Sequence, residues 1–270
     1  MMETVYLVFT YVLTGLLGLC IGSFLNVVIY RVPLGMSVVY PPSHCPKCDY
    51  KLKWYDNIPV LSYCLLGGKC RSCGEHISFR YTVVELANML LWLASVSLFF
   101  SFDAYGIIKT VCAMVLSSIL ICVFFIDLEH KIIPDRFSVI LAVLGVVLTV
   151  SDALLTDGRW TDHLIGLAVG GGFFLLIYYL ALWIYKREGL GFGDVKLMAA
   201  AGLYLGWIGT FIAVLVGSVA GSVILLIIKH RKGSERFTEY PFAPFLAFGI
   251  LIAALFGDAL TSWYLGLLSF

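Results

Sequence analysis

Hydrophobic positions in this chain come in long runs parted by short polar stretches. Eight such runs lie at about 4 to 30, 81 to 102, 106 to 126, 137 to 151, 163 to 185, 195 to 206, 210 to 228 and 242 to 266. About 20 apolar residues suffice to cross a hydrocarbon layer of roughly 30 Å, so each run is read as a membrane-spanning helix, the fourth and sixth being short. The first is not read as a cleaved signal, because "MMETVYLVF" has no basic start and its apolar stretch is too long. Small residues spaced four apart, Gly18 and Gly22, Gly166 and Gly170, Gly217 and Gly221, predict places where helices approach closely. No internal repeat, heptad run or low-complexity tail is visible. The pattern therefore predicts an all-α polytopic membrane protein of about eight transmembrane helices.

One stretch interrupts this rhythm. Residues 31 to 79 form a polar insertion, with Pro and Gly, between the first two spans. It is large enough for a small subdomain. Its middle, "WYDNIPVLSYCLL", is rich in aromatic and apolar groups and is expected to lie against the membrane surface or the helix bundle. The organisation expected is a first transmembrane helix (1–30), a loop subdomain (31–80) and a transmembrane core (81–270).

Composition agrees with the pattern: 61% of the 270 residues are hydrophobic and 13% charged. The net charge of +1 says little about partners, and no nucleic-acid partner is expected. The positions of Lys and Arg say more. Segments 31–80, 127–136, 186–196 and 229–240 hold 16 of the 18 basic residues, leaving only Lys109 and Arg159 elsewhere. By the positive-inside bias these four segments are cytoplasmic and both termini face outside.

The insertion carries "CPKC" at Cys45 and Cys48 and "CRSC" at Cys70 and Cys73. Each CxxC knuckle can present two thiolates to one ion, and two knuckles complete a closed tetrahedral zinc site. Such a site has no open position and is structural. Disulfides compete as an explanation, but the loop is placed in a reducing compartment. A redox pair is a further alternative, and His44 beside the first knuckle could substitute as a ligand. Cys20, Cys64, Cys112 and Cys122 read as small apolar residues.

Acidic groups in or at the edge of spans are costly and point to function. The third span ends in "FFIDLEHKIIPD", with Asp127 at its end and Asp135 after Pro134, and the sixth begins in "GLGFGDVKL", with Asp194 behind Gly189, Gly191 and Gly193. The topology puts Asp127 and Asp194 at one depth, on one side, on different helices. Two carboxyls sharing a site hold one proton between them, so one can take a proton from water while the other polarises an amide carbonyl. The glycines read as backbone able to adopt strained conformations and admit a substrate strand. The GxGxGD spacing is no dinucleotide fingerprint, since no βαβ unit surrounds it. From the residues alone, a proteolytic pair, a proton-coupling pair in a transporter and simple helix capping all stay open. Glu85 in "RYTVVELANM" is another acid within a span, a third member or a snorkelling group; Asp135 and Glu129 are expected to face water. No GxSxG or HExxH stretch supports nucleophilic or zinc hydrolysis.

Together, "GLGFGDVKL" and "DLEHKIIPD" resemble the GxGD-type aspartyl proteases of the membrane. With "GSFLNVVIYRVP", the double CxxC loop, "ISFRYTVVE" and "PFAPFLAFG", from about residue 19 to 250, the chain resembles bacterial prepilin peptidases, also called type IV leader peptidases. The resemblance implies that Asp127 and Asp194 are the catalytic carboxylates and that Cys45, Cys48, Cys70 and Cys73 are the paired loop cysteines. It implies cleavage of the basic leader of type IV prepilins and pseudopilins, usually after Gly, at the cytoplasmic face of the bacterial inner membrane. N-methylation of the new N-terminus with S-adenosylmethionine is implied too, the loop being similar to that of bifunctional members. A non-catalytic factor that only binds pilin-like helices is the remaining alternative.

Overall fold

The computed structural model describes residues 2–156, 158, 160–186, 190–232 and 241–268. It is helical throughout its long elements: α1 (Met2–Arg31), α2 (Leu61–Leu65), α3 (Arg80–Phe99), α4 (Ala104–His130), α5 (Asp135–Leu155), α6 (Trp160–Tyr185), α7 (Phe192–Lys232) and α8 (Ala243–Leu268), with a 3-10 turn at Trp54–Asn57. Among the described residues, seven helices are long and apolar enough to cross a membrane. Their outer faces carry large apolar side chains such as Leu176, Trp183 and Leu226, which only a nonpolar solvent tolerates in such number. The chain is a multi-pass membrane protein. The fourth span is longer than its apolar run suggests, because Asp135 and Asp152 sit inside the helix rather than beyond its ends.

The sixth and seventh runs lie within the one element α7, which has a non-helical residue inside it, Gly206, at φ 71° and ψ 177°. Met198 O and Thr210 Cγ2 both lie within 3.3 Å of the point a Cβ on Gly170 would occupy. Along a straight helix those two residues would stand about 18 Å apart. The chain therefore reverses at Gly206, and α7 is a helical hairpin whose limbs, 192–205 and 207–232, supply two of the eight runs. The first limb is about 20 Å long.

Residues 1–100 and 101–270 form two compact units. In the first, α1 and α3 pack closely, with the Cα of Met89 2.9 Å from a Cβ built on Gly18 and the Cα of Glu85 2.7 Å from one built on Gly22. Asn88 Nδ2 donates to the carbonyl of Gly18 at 2.8 Å across the same seam. The helix 80–99, grouped from the sequence with residues 81–270, thus lies in the same compact unit as α1. In the second unit α6 lies along α7: Gly166 meets the backbone of Gly202 and Gly206, and Gly170 that of Met198. Gly217 and Gly221 make room for Phe245 on α8. All three small-residue spacings are helix contacts, as expected where close packing rather than water expulsion joins helices.

Candidate active site and metal centre

In the second unit, α4 ends where Lys131 turns into the left-handed region, at φ 54°, and closes the helix by donating its N–H to the carbonyl of Asp127 at 2.9 Å. A short link to Pro134 follows, and α5 starts at Asp135. Two contacts bring this turn to the start of α7. Ile133 Cβ lies 3.1 Å from a Cβ built on Gly193, and Lys196 Nζ meets Asp135 Oδ1 at 2.8 Å. Phe192 packs edge-on to Tyr178 of α6, ring centroids 5.6 Å apart. About 10 Å of α6 continues beyond that level.

These contacts place both acids in one site. Asp127 is 6% exposed and Asp194 7%. The charge of Asp127 reaches Asp194. Each carboxyl also meets a helix start: the N–H of Ala243, first residue of α8, faces Asp127, and the N–H of Gly191, just before α7, faces Asp194. Helix N-termini leave such N–H groups without an intrahelical acceptor. A cap would use its carboxyl fully in this way. Here Asp127 Oδ2 and Asp194 Oδ1 are enclosed and have no hydrogen-bond partner among the described residues. Buried oxygens in that condition are rare in native proteins and mark a place meant for another group.

The glycines have a different local reason from the one the sequence suggests. Gly191 and Gly193 do not have positive φ. What each needs is the missing side chain: a Cβ on Gly191 would stand 3.3 Å from Asp194 Oδ2, and one on Gly193 would press on Ile133. Gly189 lies outside the described residues. Asp135 and Glu129 are exposed at the surface of the unit, as expected. Ala243 was not singled out by sequence reasoning; its only signal was the paired prolines of "PFAPFLAFG", which suit a helix start.

In the first unit the four loop cysteines converge, their Sγ atoms all within 4.8 Å of one another. Cys45 and Cys73 Sγ are 3.9 Å apart, close to the roughly 3.8 Å edge of a tetrahedron with 2.3 Å zinc–sulfur bonds. All four thiols are free in this structure. The knuckles are built alike. In the first, Cys45 N–H donates to the carbonyl of Tyr50 and Asp49 N–H to that of Cys45; in the second, Cys70 pairs with Glu75 and Gly74 with Cys70. Asp49 and Gly74 take the left-handed turn at equivalent places, φ 55° and 73°. Backbone N–H groups of Cys73 and Ser72 hold the Cys70 thiol down to about 7, while desolvation and the neighbouring sulfurs of Cys48, Cys70 and Cys45 push Cys73 up to about 12, so the four thiols share a proton balance that a cation among them would shift toward thiolate. His44 is not in the cluster; its ring faces the carbonyl of Pro42.

Asp56 fixes the second knuckle. Its side chain accepts from Arg71 Nε at 2.7 Å, from Tyr50 at 3.2 Å and from the N–H of Lys53 at 3.2 Å. Glu85 belongs to this unit also, and accepts from the N–H of Val60 at 2.8 Å, which ties the aromatic middle of the loop to α3. It is buried rather than lipid-facing.

Residues 16–99 match the Bacterial Peptidase A24 N-terminal domain, and residues 114–226 match the Type IV leader peptidase family. The chain belongs to the type IV leader peptidase family. It is 37% identical to the Prepilin leader peptidase/N-methyltransferase of Xanthomonas campestris pv. campestris over 92% of each chain. The protein of that name from Pseudomonas aeruginosa is 33% identical over 93% of this chain and 92% of the relative. One from Myxococcus xanthus is 40% identical over 82% of this chain, and the match spans 64% of the relative's length. No solved structure matches the chain. The cysteine cluster and Glu85 fall in the first matched segment, and Asp127 and Asp194 in the second.

Proposed function

We propose that this chain cleaves the leader peptide of type IV prepilins and pseudopilins and methylates the new N-terminus, with Asp127 and Asp194 as the catalytic pair. The family and its relatives carry the activity; for the residues, the supporting observation is two buried aspartates in one site, each with an oxygen that has no partner among the described residues. One carboxylate takes a proton from the attacking water while the protonated partner donates to the scissile carbonyl, and the roles exchange as the amine leaves. The backbone N–H groups of Ala243 and Gly191 hold the two carboxyls in place from behind.

A prepilin joins a basic leader to an apolar helix, so its scissile bond lies near the membrane surface. The distribution of basic segments supports a site on the cytoplasmic side of the inner membrane, where the leader is. Zinc is the ion that a closed set of four thiolates fits, and it holds the loop in shape. S-adenosylmethionine supplies the methyl group. Residues 31–80 form the methylation-associated loop, alongside the helix 1–30 and the peptidase core within 81–270.

Incubating a prepilin with the purified chain in detergent, and reading the product by intact mass with and without S-adenosylmethionine, tests both activities. Asp127→Asn and Asp194→Asn each reduce cleavage by about 10³-fold or more while the protein stays folded. Cleavage at the parent rate by either variant rejects the pair.

A further inference from the structure

Beneath the cysteine loop, within the first unit, lies a cavity of about 710 Å³ bounded by α1, the loop and α3. That is the size of a small-molecule site, typically about 300–1,000 Å³. Its lining is unusual in what it leaves over. Asn26, 2% exposed, uses its Nδ2 on the carbonyls of Gly22 and Tyr81, and its Oδ1 has no partner among the described residues. Thr82, 4% exposed, has an Oγ1 with no partner among the described residues. Glu85, 7% exposed, accepts from Val60 N–H and faces the Ser23 hydroxyl. The cations in the lining are directed elsewhere, Arg31 to the carbonyl of Ser37 and Arg71 to Asp56.

Buried polar atoms without partners cost stability unless something fills them. Among the described residues, Asn26 Oδ1 can only accept and the Thr82 hydroxyl can accept as well as donate; beside the Glu85 carboxylate, they suit a group that brings N–H donors and a positive charge. A primary ammonium offers three N–H bonds on one charged nitrogen. A sulfonium has the charge but no N–H, and a hard dication gathers more oxygen ligands than this wall supplies.

We propose that this cavity binds a primary α-ammonium group, with Glu85 as its anionic anchor and Asn26 Oδ1 and Thr82 Oγ1 as further acceptors. The proposal rests on the reading of the chain as a peptidase and methyltransferase. Under that reading two such groups come to the methylation site: the N-terminus freed by cleavage, and the amino-acid end of S-adenosylmethionine.

Equilibrium binding to the full chain in detergent separates them. The probes are labelled S-adenosylmethionine and an apolar peptide beginning with Phe, its N-terminus free or acetylated. The free peptide binds the parent at least about tenfold more tightly than the acetylated one, and Glu85→Gln removes the difference, if the ammonium is the new N-terminus. A comparable loss of S-adenosylmethionine binding in Glu85→Gln, with peptide binding unchanged, assigns the cavity to the donor's amino group. Equal affinity of parent and variant for both probes overturns the proposal, as does a parent that binds neither. Should Glu85→Gln not retain zinc and a monodisperse form, Thr82→Val decides: unaltered binding of both probes overturns it. Prepilin cleavage by the parent is scored in parallel. A parent that cleaves and methylates, with Glu85→Gln binding both probes normally, sinks this inference and leaves the enzymatic reading standing.

Discussion

Asp194 lies against its own glycine approach with little room to spare. A Cβ on Gly191 would stand 3.3 Å from Asp194 Oδ2, closer than ordinary contact, so the carboxyl would have to shift by a few tenths of an ångström. Proton transfer depends on position more steeply than folding does. Gly191→Ala is therefore expected to slow prepilin cleavage by about tenfold or more and to leave the thermal unfolding midpoint nearly unchanged. A normal rate would show that the carboxyl relaxes freely. Asp56 presents the opposite case, a residue that serves structure. Replacing it by Asn keeps an acceptor for Tyr50 and Lys53 but removes the charge facing Arg71, next to Cys70. Asp56→Asn is expected to bind one zinc per chain at first and to lose it severalfold faster to a chelator, with cleavage unaffected. Zinc loss at the parent rate would mean the ion pair does not brace the knuckle.

The α7 hairpin shows what hydrophobic pattern reveals and where it stops. The runs 195–206 and 210–228 are distinct in the sequence only because "GLYLGWIGT" thins the apolar density, with no polar loop between them. Helix geometry continues up to both sides of Gly206, so the reversal rests on one residue in a conformation open almost solely to glycine. The nearest atom to a Cβ there is Asp162 O at 3.6 Å, so space is available and the cost of Gly206→Ala is backbone strain, about 1–3 kcal/mol. Gly202→Ala differs: its Cβ would fall 2.1 Å from the carbonyl of Gly166, forcing α6 and the first limb apart. Both variants should unfold at lower temperature in detergent, Gly202→Ala by more; the reverse order would mean α6 yields easily. Spans and knuckles were legible because length and CxxC spacing are properties of contiguous sequence. The partners of the acids were not. Asp127 meets the N–H of Ala243 and Glu85 the N–H of Val60, and a backbone N–H has no residue signature.

At the scale of the whole molecule, the reversal at Gly206 decides which side of the membrane the C-terminus reaches. In the second unit α4, α5, α6, both limbs of α7, and α8 make an even number of passes. Residues 101–103 and the end of α8 then share a side. If α7 crossed once as an unbroken rod, its 41 residues would span about 60 Å, twice the hydrocarbon layer, and the C-terminus would change sides. The first limb is shorter than that layer, but its turn lies beside Asp162 at the start of α6, so the limb reaches the same level as a helix of full length. The Lys and Arg distribution independently asks for the even count, since segments 186–196 and 229–240 are both basic. Short epitope tags inserted in the full chain after residues 158, 187 and 236 and at the C-terminus, labelled before and after the cells are permeabilised, check this. Tags at 158 and the C-terminus should label from outside, and those at 187 and 236 only after permeabilisation. A C-terminal tag reached only from the cytoplasm would mean the hairpin does not cross and return, and the aspartate of its first limb would then need a different placement in the membrane.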